Sequence, residues 1–264
     1  MKKTILAALL MMVGMTISAQ PKEKVENVFE PHWYIQAQGG AQYTLGEIDF
    51  SDLISPNVQL SIGYQFDKVV GARLSANAWQ SKAGSNIYGK EFKWKWNYVA
   101  PGIDFTFNLS NLFAGYNRVV SVSAFLGAGA NIAWKNDEAK DASAAMVAAF
   151  PGDFNNKLYG QNLEYLWDGT KTRFFGRGGV NVDFRISDAV SLGIEANANC
   201  VSDRYNSKRA NNADWYFNAL AGLKINLGKT HSTKTVPAHC CPEPKVVEKI
   251  VEKIVYKEVQ TSDN

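Results

Sequence analysis

The chain has 264 residues, of which 46% are hydrophobic and 20% charged, ordinary proportions for a folded protein with a sizeable core. Its formal net charge of +3 is small and spread evenly, which excludes a nucleic-acid surface. Three cysteines, Cys200, Cys240 and Cys241, make no intramolecular disulfide framework, and with His32, His231 and His239 they lack zinc-ligand spacing, so no metal or cofactor is expected.

Met1-Lys2-Lys3 is a basic start, an apolar run extends from Thr4 through Met15, and Ile17-Ser18-Ala19 is a small-residue exit. The run is too short to cross a bilayer, and residues 1–19 read as a secretory signal peptide cut after Ala19. No Cys follows the cut to carry a lipid anchor. No later apolar run approaches ~20 residues, so membrane residence requires a barrel or a surface contact.

Residues 20–31 are a polar leader. From His32 the chain alternates with a period of two, which puts successive side chains on opposite faces of a strand. The first strand, His32 to Tyr43, sets Trp33, Ile35 and Tyr43 against Gln36, Gln38 and Gln42. The second, Asn57 to Phe66, sets Val58, Leu60 and Ile62 against Asn57, Gln59 and Ser61. After a tight Asp67-Lys68 turn the third, Val69 to Gln80, carries Leu74 on one face and Arg73, Ser75 and Asn77 on the other. Ser81 to Lys90 is expected to be a polar loop.

The fourth strand starts with Phe92, Trp94, Trp96 and Tyr98 on even positions and passes to Val99, Ile103, Phe105 and Phe107 on odd ones. Pro101-Gly102 reads as a bulge at that changeover. The odd register leaves Asp104 on the polar face, with Trp94 and Trp96 facing inward or lying beyond a bilayer. Asn108 to Arg118 is an Asn-rich turn, and Val119 to Trp134 is the fifth strand. Residues 135–171 form the longest connection, with Asp141 to Phe150 read as a short helix. Thr172 to Ile186, Val190 to Cys200 and Ala213 to Leu227 are the sixth, seventh and eighth strands, and Val201 to Asn212 is a charged loop.

Eight strands with long first, third, fifth and seventh connections describe an antiparallel up-and-down β-barrel over residues 32–228. Two versions compete. A soluble lipocalin-like barrel hides its apolar faces inside, whereas a transmembrane barrel turns them to lipid and keeps a polar interior. The faces opposite the apolar ones are Gly, Ser, Asn and Gln with sparse charges, a composition that suits a narrow hydrogen-bonded interior better than a solvated surface. Trp33, Tyr43, Phe66, Phe107, Trp134, Phe184, Trp215 and Phe217 gather toward strand ends, as interfacial aromatic girdles do. The transmembrane barrel is the reading that follows, with both termini in the periplasm of a Gram-negative cell.

Taken in order, Tyr98-Val-Ala-Pro-Gly-Ile-Asp-Phe-Thr-Phe-Asn-Leu-Ser-Asn-Leu112, Gly222-Leu-Lys-Ile-Asn-Leu-Gly-Lys229 and Cys241-Pro-Glu-Pro244 resemble the N-terminal barrel of the OmpA family in its Bacteroidetes-type branch. The resemblance covers roughly residues 32–245. The Gly222, Ile225 and Leu227 spacing also resembles the C-terminal insertion signal read by the outer-membrane assembly machinery, departing from it at Leu220 and at Leu227 itself. Family members continue into a periplasmic peptidoglycan-binding domain. Here the chain stops at Asn264 without it, as a natural short form or a truncation. The resemblance implies a structural protein of the envelope, in contact with outer-membrane lipid and lipopolysaccharide, whose outside loops, residues 135–171 above all, serve adhesion or contact.

The inner face collects Arg73, Asp104, Arg173, Arg177, Asp183, Arg185, Glu195 and Lys224. Charges in an interior only wide enough for side chains must pair. The expected arrangement is a salt-bridge network that plugs the barrel, with Arg173 and Lys224 nearer the ends. The alternative is a small-solute channel gated by rearranging Arg–Glu pairs. A lipid-modifying enzyme needs a His with Ser or a carboxylate at the outer rim. None of the three histidines falls in an outside loop, so no catalytic residue is assigned. The tail from 229 to 264 reads as a periplasmic linker, with a helix over 246–257 as the competing form. Self-association through that tail, or through Cys240 and Cys241 in an oxidising compartment, stands against a free pair of thiols.

Overall fold

The computed structural model describes residues 24–116, 119–155 and 163–236. Residues 1–19, expected to be a signal peptide, Cys240 and Cys241, the Cys241-to-Pro244 motif and the 246–257 repeat lie outside the described residues. The chain divides into a body over Asn27–Thr233 and a second unit made of the two terminal segments. Among the described residues no helix is long and apolar enough to cross a membrane.

The strands are β1 (Lys24–Phe29), β2 (His32–Thr44), β3 (Ile54–Gln65), β4 (Val70–Ile87), β5 (Lys90–Asn108), β6 (Val120–Trp134), β7 (Lys171–Arg185), β8 (Val190–Val201), β9 (Asp214–Leu227) and β10 (His231–Val236). Strands β2 to β9 form a closed antiparallel barrel in sequence order, sealed by β2 against β9. Within the ring, closure gives every strand two neighbours and leaves no edge strand. The chain enters at His32 and leaves at Leu227 at one end, the terminal end. There β3–β4, β5–β6 and β7–β8 are joined, and the opposite end carries the connections 45–53, 88–89, 135–170 and 202–213.

Within the leader and the start of the tail, β1 and β10 pair as a separate two-stranded sheet. Two expectations are corrected. Ser81 to Lys90 is not a loop. The β4–β5 register runs unbroken from Val70↔Phe107 to Ile87↔Lys90, and only Tyr88-Gly89 turns the chain. Both turn residues have positive φ, 49° and 84°, the backbone of a primed two-residue hairpin that matches strand twist. Polar composition misled here because a hairpin arm reaching past the apolar band has polar residues on its wet face. Gly89→Ala is expected to cost about 1 kcal/mol, the left-handed penalty on one residue, read as a lowered urea midpoint with native gel migration kept.

The second correction concerns Pro101-Gly102, which forms no bulge. Tyr98↔Ala133, Val99↔Ile132 and Gly102↔Gly129 share one register, and only the rungs at Ala100 and Pro101 are missing. Proline has no N–H to give the ladder, so the pairing skips it without slipping. The even positions of β5 therefore face inward along its whole length, and the apolar side chains change face because the environment around the strand changes.

Among the described residues, α1 (Leu109–Ala114), α2 (Asp137–Ala149) and α3 (Pro151–Asn155) are α-helices in the connections. Helix α2 begins at Asp137 rather than Asp141, with Asp137 and Glu138 in its first turn where the positive end of the helix dipole favours them. Its buried residues Ala139, Ala142 and Met146 join a core with Phe92, Trp94, Trp96 and Trp167 at the loop end.

Candidate functional site: the filled interior

The inner face is stacked in three tiers. The middle tier is a charge cluster joining strands on opposite walls. Arg73 on β4 donates from Nε to Asp104 Oδ2 at 2.7 Å. It also grips Glu195 on β8 with both terminal nitrogens, Nη1 to Oε2 at 2.6 Å and Nη2 to Oε1 at 3.0 Å. Arg177 on β7 donates to Asp104 from Nη2 at 2.8 and 2.9 Å and from Nε at 3.1 Å. Asp104 is 0% exposed, so the one carboxylate bridges two guanidiniums in a dry place. Two-pronged guanidinium–carboxylate pairs of this kind fix orientation as well as charge. Arg73 also lies over the Phe125 ring at 4.4 Å and Arg177 over Phe175 at 5.4 Å.

Room for these groups comes from glycines on neighbouring strands. A Cβ at Gly127 would meet Asp104 Oδ1 and stand 2.5 Å from the Ile103 carbonyl oxygen. At Gly129 it would be 2.7 Å from the Phe175 ring, and at Gly179 2.6 Å from Phe125. Small and large inner residues thus alternate around the wall, and the barrel is filled by complementary volume.

Above the charges, toward the loop end, runs a tier of amides and hydroxyls. Glu195 Oε1 accepts from Asn197 at 3.0 Å, whose Oδ1 accepts from Asn218 at 2.9 Å. Asn57 donates to the Tyr98 hydroxyl at 2.7 Å, and Gln42 Oε1 and Asn77 Oδ1 both lie within reach of the single Tyr98 proton. Gln42 reaches Ser81 at 2.5 Å, and Ser81 shares a 2.6 Å hydrogen bond with the Tyr205 hydroxyl in the last connection. The top of the barrel is then shut by rings: Trp96 packs edge-on against Tyr205 at 5.0 Å, and Tyr205 stacks on Tyr216 at 5.6 Å. Burial pushes the Tyr205 hydroxyl up to about 12, so it stays a neutral donor at physiological pH.

The lowest tier faces the terminal end. Lys224 donates to Asp183 Oδ2 at 3.0 Å and sits 4.3 Å over the Tyr34 ring, which occupies the space left by Gly63. Here the packing is looser. Buried atoms of Gln36, Gln38, Ser61, Asn181 and Asp183 have no hydrogen-bond partner, and a cavity of about 110 Å³ opens toward the chain ends.

The structure therefore brings Arg73, Asp104, Arg177 and Glu195 into one cluster and holds Asp183 with Lys224 as a second pair. Arg185 is on the inner face but joins neither: it lines the terminal-end cavity, with no ion pair among the described residues. Arg173 lies at the loop end, 4.9 Å over the Trp167 ring. Gly222 sits on the closing seam, where a Cβ would meet Ala37 of β2, while Ile225 and Leu227 point outward. The amide tier and the ring cap, with Gln42, Asn57, Tyr98, Tyr205 and Tyr216, were missed from sequence. Their one available signal was parity, since Trp94, Trp96 and Tyr98 share the even positions of Asp104.

The outer face is the converse. Leu60, Leu126 and Phe105 are 64%, 67% and 58% exposed, within a belt that also holds Ile35, Ile62, Leu74, Ile103, Val180, Ile194 and Leu223. Aromatics border it at both ends. At the terminal end stand Trp33, Phe66, Phe107 and Phe184, with Trp33 and Phe66 each ringed against Tyr64 at 5.0 and 5.2 Å. At the loop end stand Tyr43, Trp134, Trp215 and Phe217, where Phe217 stacks with Tyr43 at 6.3 Å and Trp215 at 6.5 Å. Cys200 is half-buried and free at that end.

No family model matches the chain. Outer membrane protein 40 of Porphyromonas gingivalis is 29% identical over 220 residues, which cover 78% of this chain and 50% of that protein. The chain thus spans about half the length of the curated relative it matches. Among solved structures, Neisserial surface protein A aligns at a TM-score of 0.46 with 11% identity, over 78% of this chain and 100% of its own. The outer membrane protein OprG from Pseudomonas aeruginosa aligns at 0.45 with 9% identity, over 76% and 97%.

Proposed function

We propose that this chain is a structural barrel of the Gram-negative outer membrane, of the OmpA type in its Bacteroidetes branch, with its terminal end in the periplasm. One observation carries the reading: the barrel is inside out. Its charges are buried and paired within, while a continuous apolar belt between two aromatic borders faces outward. Water-soluble monomers rarely expose apolar patches beyond a few hundred Å², whereas lipid makes such a belt the stable arrangement. The name of the Porphyromonas relative supports the same location. In this role the belt anchors the barrel in lipid and lipopolysaccharide, the filled interior stiffens it, and residues 135–170 with 202–213 offer the contact surface. Insertion by the assembly machinery, with the β9 end as its signal, belongs to the same proposal, as does self-association through the tail or its adjacent cysteines.

The test is fractionation with gel migration. The protein is expected in the outer-membrane fraction, released by detergent alone, and to run faster unboiled than boiled. Release by high salt would sink the membrane reading.

The under-satisfied lower tier favours a second reading, a small-solute pathway that opens when the Arg73–Glu195 pair rearranges. The linked amides of the tier above the charges and the rings that shut the loop end oppose it, and planar-bilayer recording is expected to be silent at high protein load. Steady unitary currents, abolished by locking substitutions at Glu195, would reverse the order of the two readings.

A further inference from the structure

We infer that helix α1 is an interfacial foot: a rim-bolted helical turn that presses Leu112 and Phe113 into the lipid leaflet on the terminal side of the barrel. The inference rests on the membrane reading above and goes beyond it, because the barrel belt alone does not require it.

The other described turns at this end are short and polar, Asp67-Lys68 and Ser187-Asp188-Ala189. The β5–β6 connection is longer, and Asn108, Ser110 and Asn111 at its start all bind the rim. Asn108 Oδ1 accepts from the Asn111 amide at 2.8 Å, capping the helix, while its Nδ2 donates to Ser121 Oγ on β6 at 2.5 Å. Asn111 donates to the Lys68 carbonyl oxygen at 2.7 Å, and Ser110 Oγ accepts from the Val122 amide at 2.8 Å. Gly115, at φ +86°, ends the helix by a backbone that side chains rarely adopt.

With its polar face committed to the barrel, the turn shows its apolar residues outward. Leu112 is 55% exposed and Phe113 81%. They do not form an isolated patch. Phe107 stands at the end of β5, directly before the helix. Val119 lies 63% exposed before β6, and Phe184 and Ile186, 38% and 68% exposed, close β7 beside it. The foot therefore continues the apolar belt past its aromatic border, at the depth where an amphipathic turn lies in a headgroup–acyl boundary. That continuity identifies the occupant as lipid. A surface meant for water would have spent its Asn and Ser outward, and here Asn108, Ser110 and Asn111 are turned to the rim.

The test is nitroxide labelling of Phe113→Cys, with Cys200, Cys240 and Cys241 changed to Ser, in phosphatidylethanolamine–phosphatidylglycerol vesicles. Labels at Leu126 in the belt and at Lys140 in the loop-end helix serve as references. The ratio of oxygen to water-soluble nickel-chelate accessibility at 113 is expected several-fold above that at 140 and below that at 126. A value at 113 equal to that at 140 overturns the foot while leaving the membrane barrel intact. A water-like value at 126 as well overturns the barrel reading itself. Unboiled gel migration checks folding. The same label at Leu112 repeats the measurement, and agreement in lipid exposure at both positions is required.

Discussion

Asp104→Ala is expected to destabilise the barrel by about 3–5 kcal/mol, the cost of breaking a buried ion pair and stranding its partner. The carboxylate takes hydrogen bonds from Arg73 and from Arg177 and is fully buried between them. Without it Glu195 still holds Arg73, but Arg177 is left with Ser75 at 2.5 Å and Gln59 at 3.4 Å, neither of which bears charge. The measurement is the urea midpoint of the barrel refolded into vesicles, followed by tryptophan emission and by unboiled gel migration. The double variant Asp104→Leu, Arg177→Met is expected to recover a large part of the loss, because an apolar pair of similar volume escapes the desolvation that the charges carry. A single variant within about 1 kcal/mol of the parent would show that the cluster is hydrated and weak, and would strengthen the channel reading.

The second large effect is expected at the closing seam. Gly222→Ala places a methyl group against the Ala37 carbonyl oxygen and 2.6 Å from the Cα of Gln38, backbone atoms that cannot rotate away. Gly40→Ala repeats the clash from the other side, against Ala219 of β9. Each is expected to cost about 3 kcal/mol, at the upper end of overpacking penalties, and to slow folding into vesicles, since β2 and β9 are the last strands able to meet. Gly39 is the control. It pairs with Ala221 on the same seam, yet a Cβ there meets nothing within 4 Å. Gly39→Ala should fold and migrate like the parent. Equal losses at 39 and 222 would attribute the effect to glycine's backbone freedom and not to close approach of the strands.

The insertion-like spacing changes meaning in this light. Gly222 reads in sequence as part of a signal, and in the structure it is a point of strand contact, with Ile225 and Leu227 free to face outward at 39% and 47% exposure. The two roles are compatible, and the seam accounts for the glycine without any receptor.

Local alternation was enough to place all eight strands and to assign their faces except in the first half of the fourth, because a strand's side chains alternate whatever surrounds it. It also showed that Arg73, Asp104, Arg177 and Glu195 share one wall surface, and that aromatics collect at strand ends. Which inner residues touch was decided by closure. Arg73 and Glu195 lie 122 positions apart, and only the ring of strands, with its stagger, brings their charges to 2.6 Å. The same closure left Arg185 outside the cluster, at the cavity mouth. The hairpin arm of β4 and β5 and the ring cap were hidden for a related reason: where a barrel leaves its apolar belt, inner positions turn from polar to aromatic and outer ones from apolar to polar. Period two survives that exchange while composition reverses. Pattern along the chain therefore determined the strands and their two faces, and the three-dimensional ring alone determined the partners, the tiers and the seal, because those depend on contacts that sequence separation does not encode.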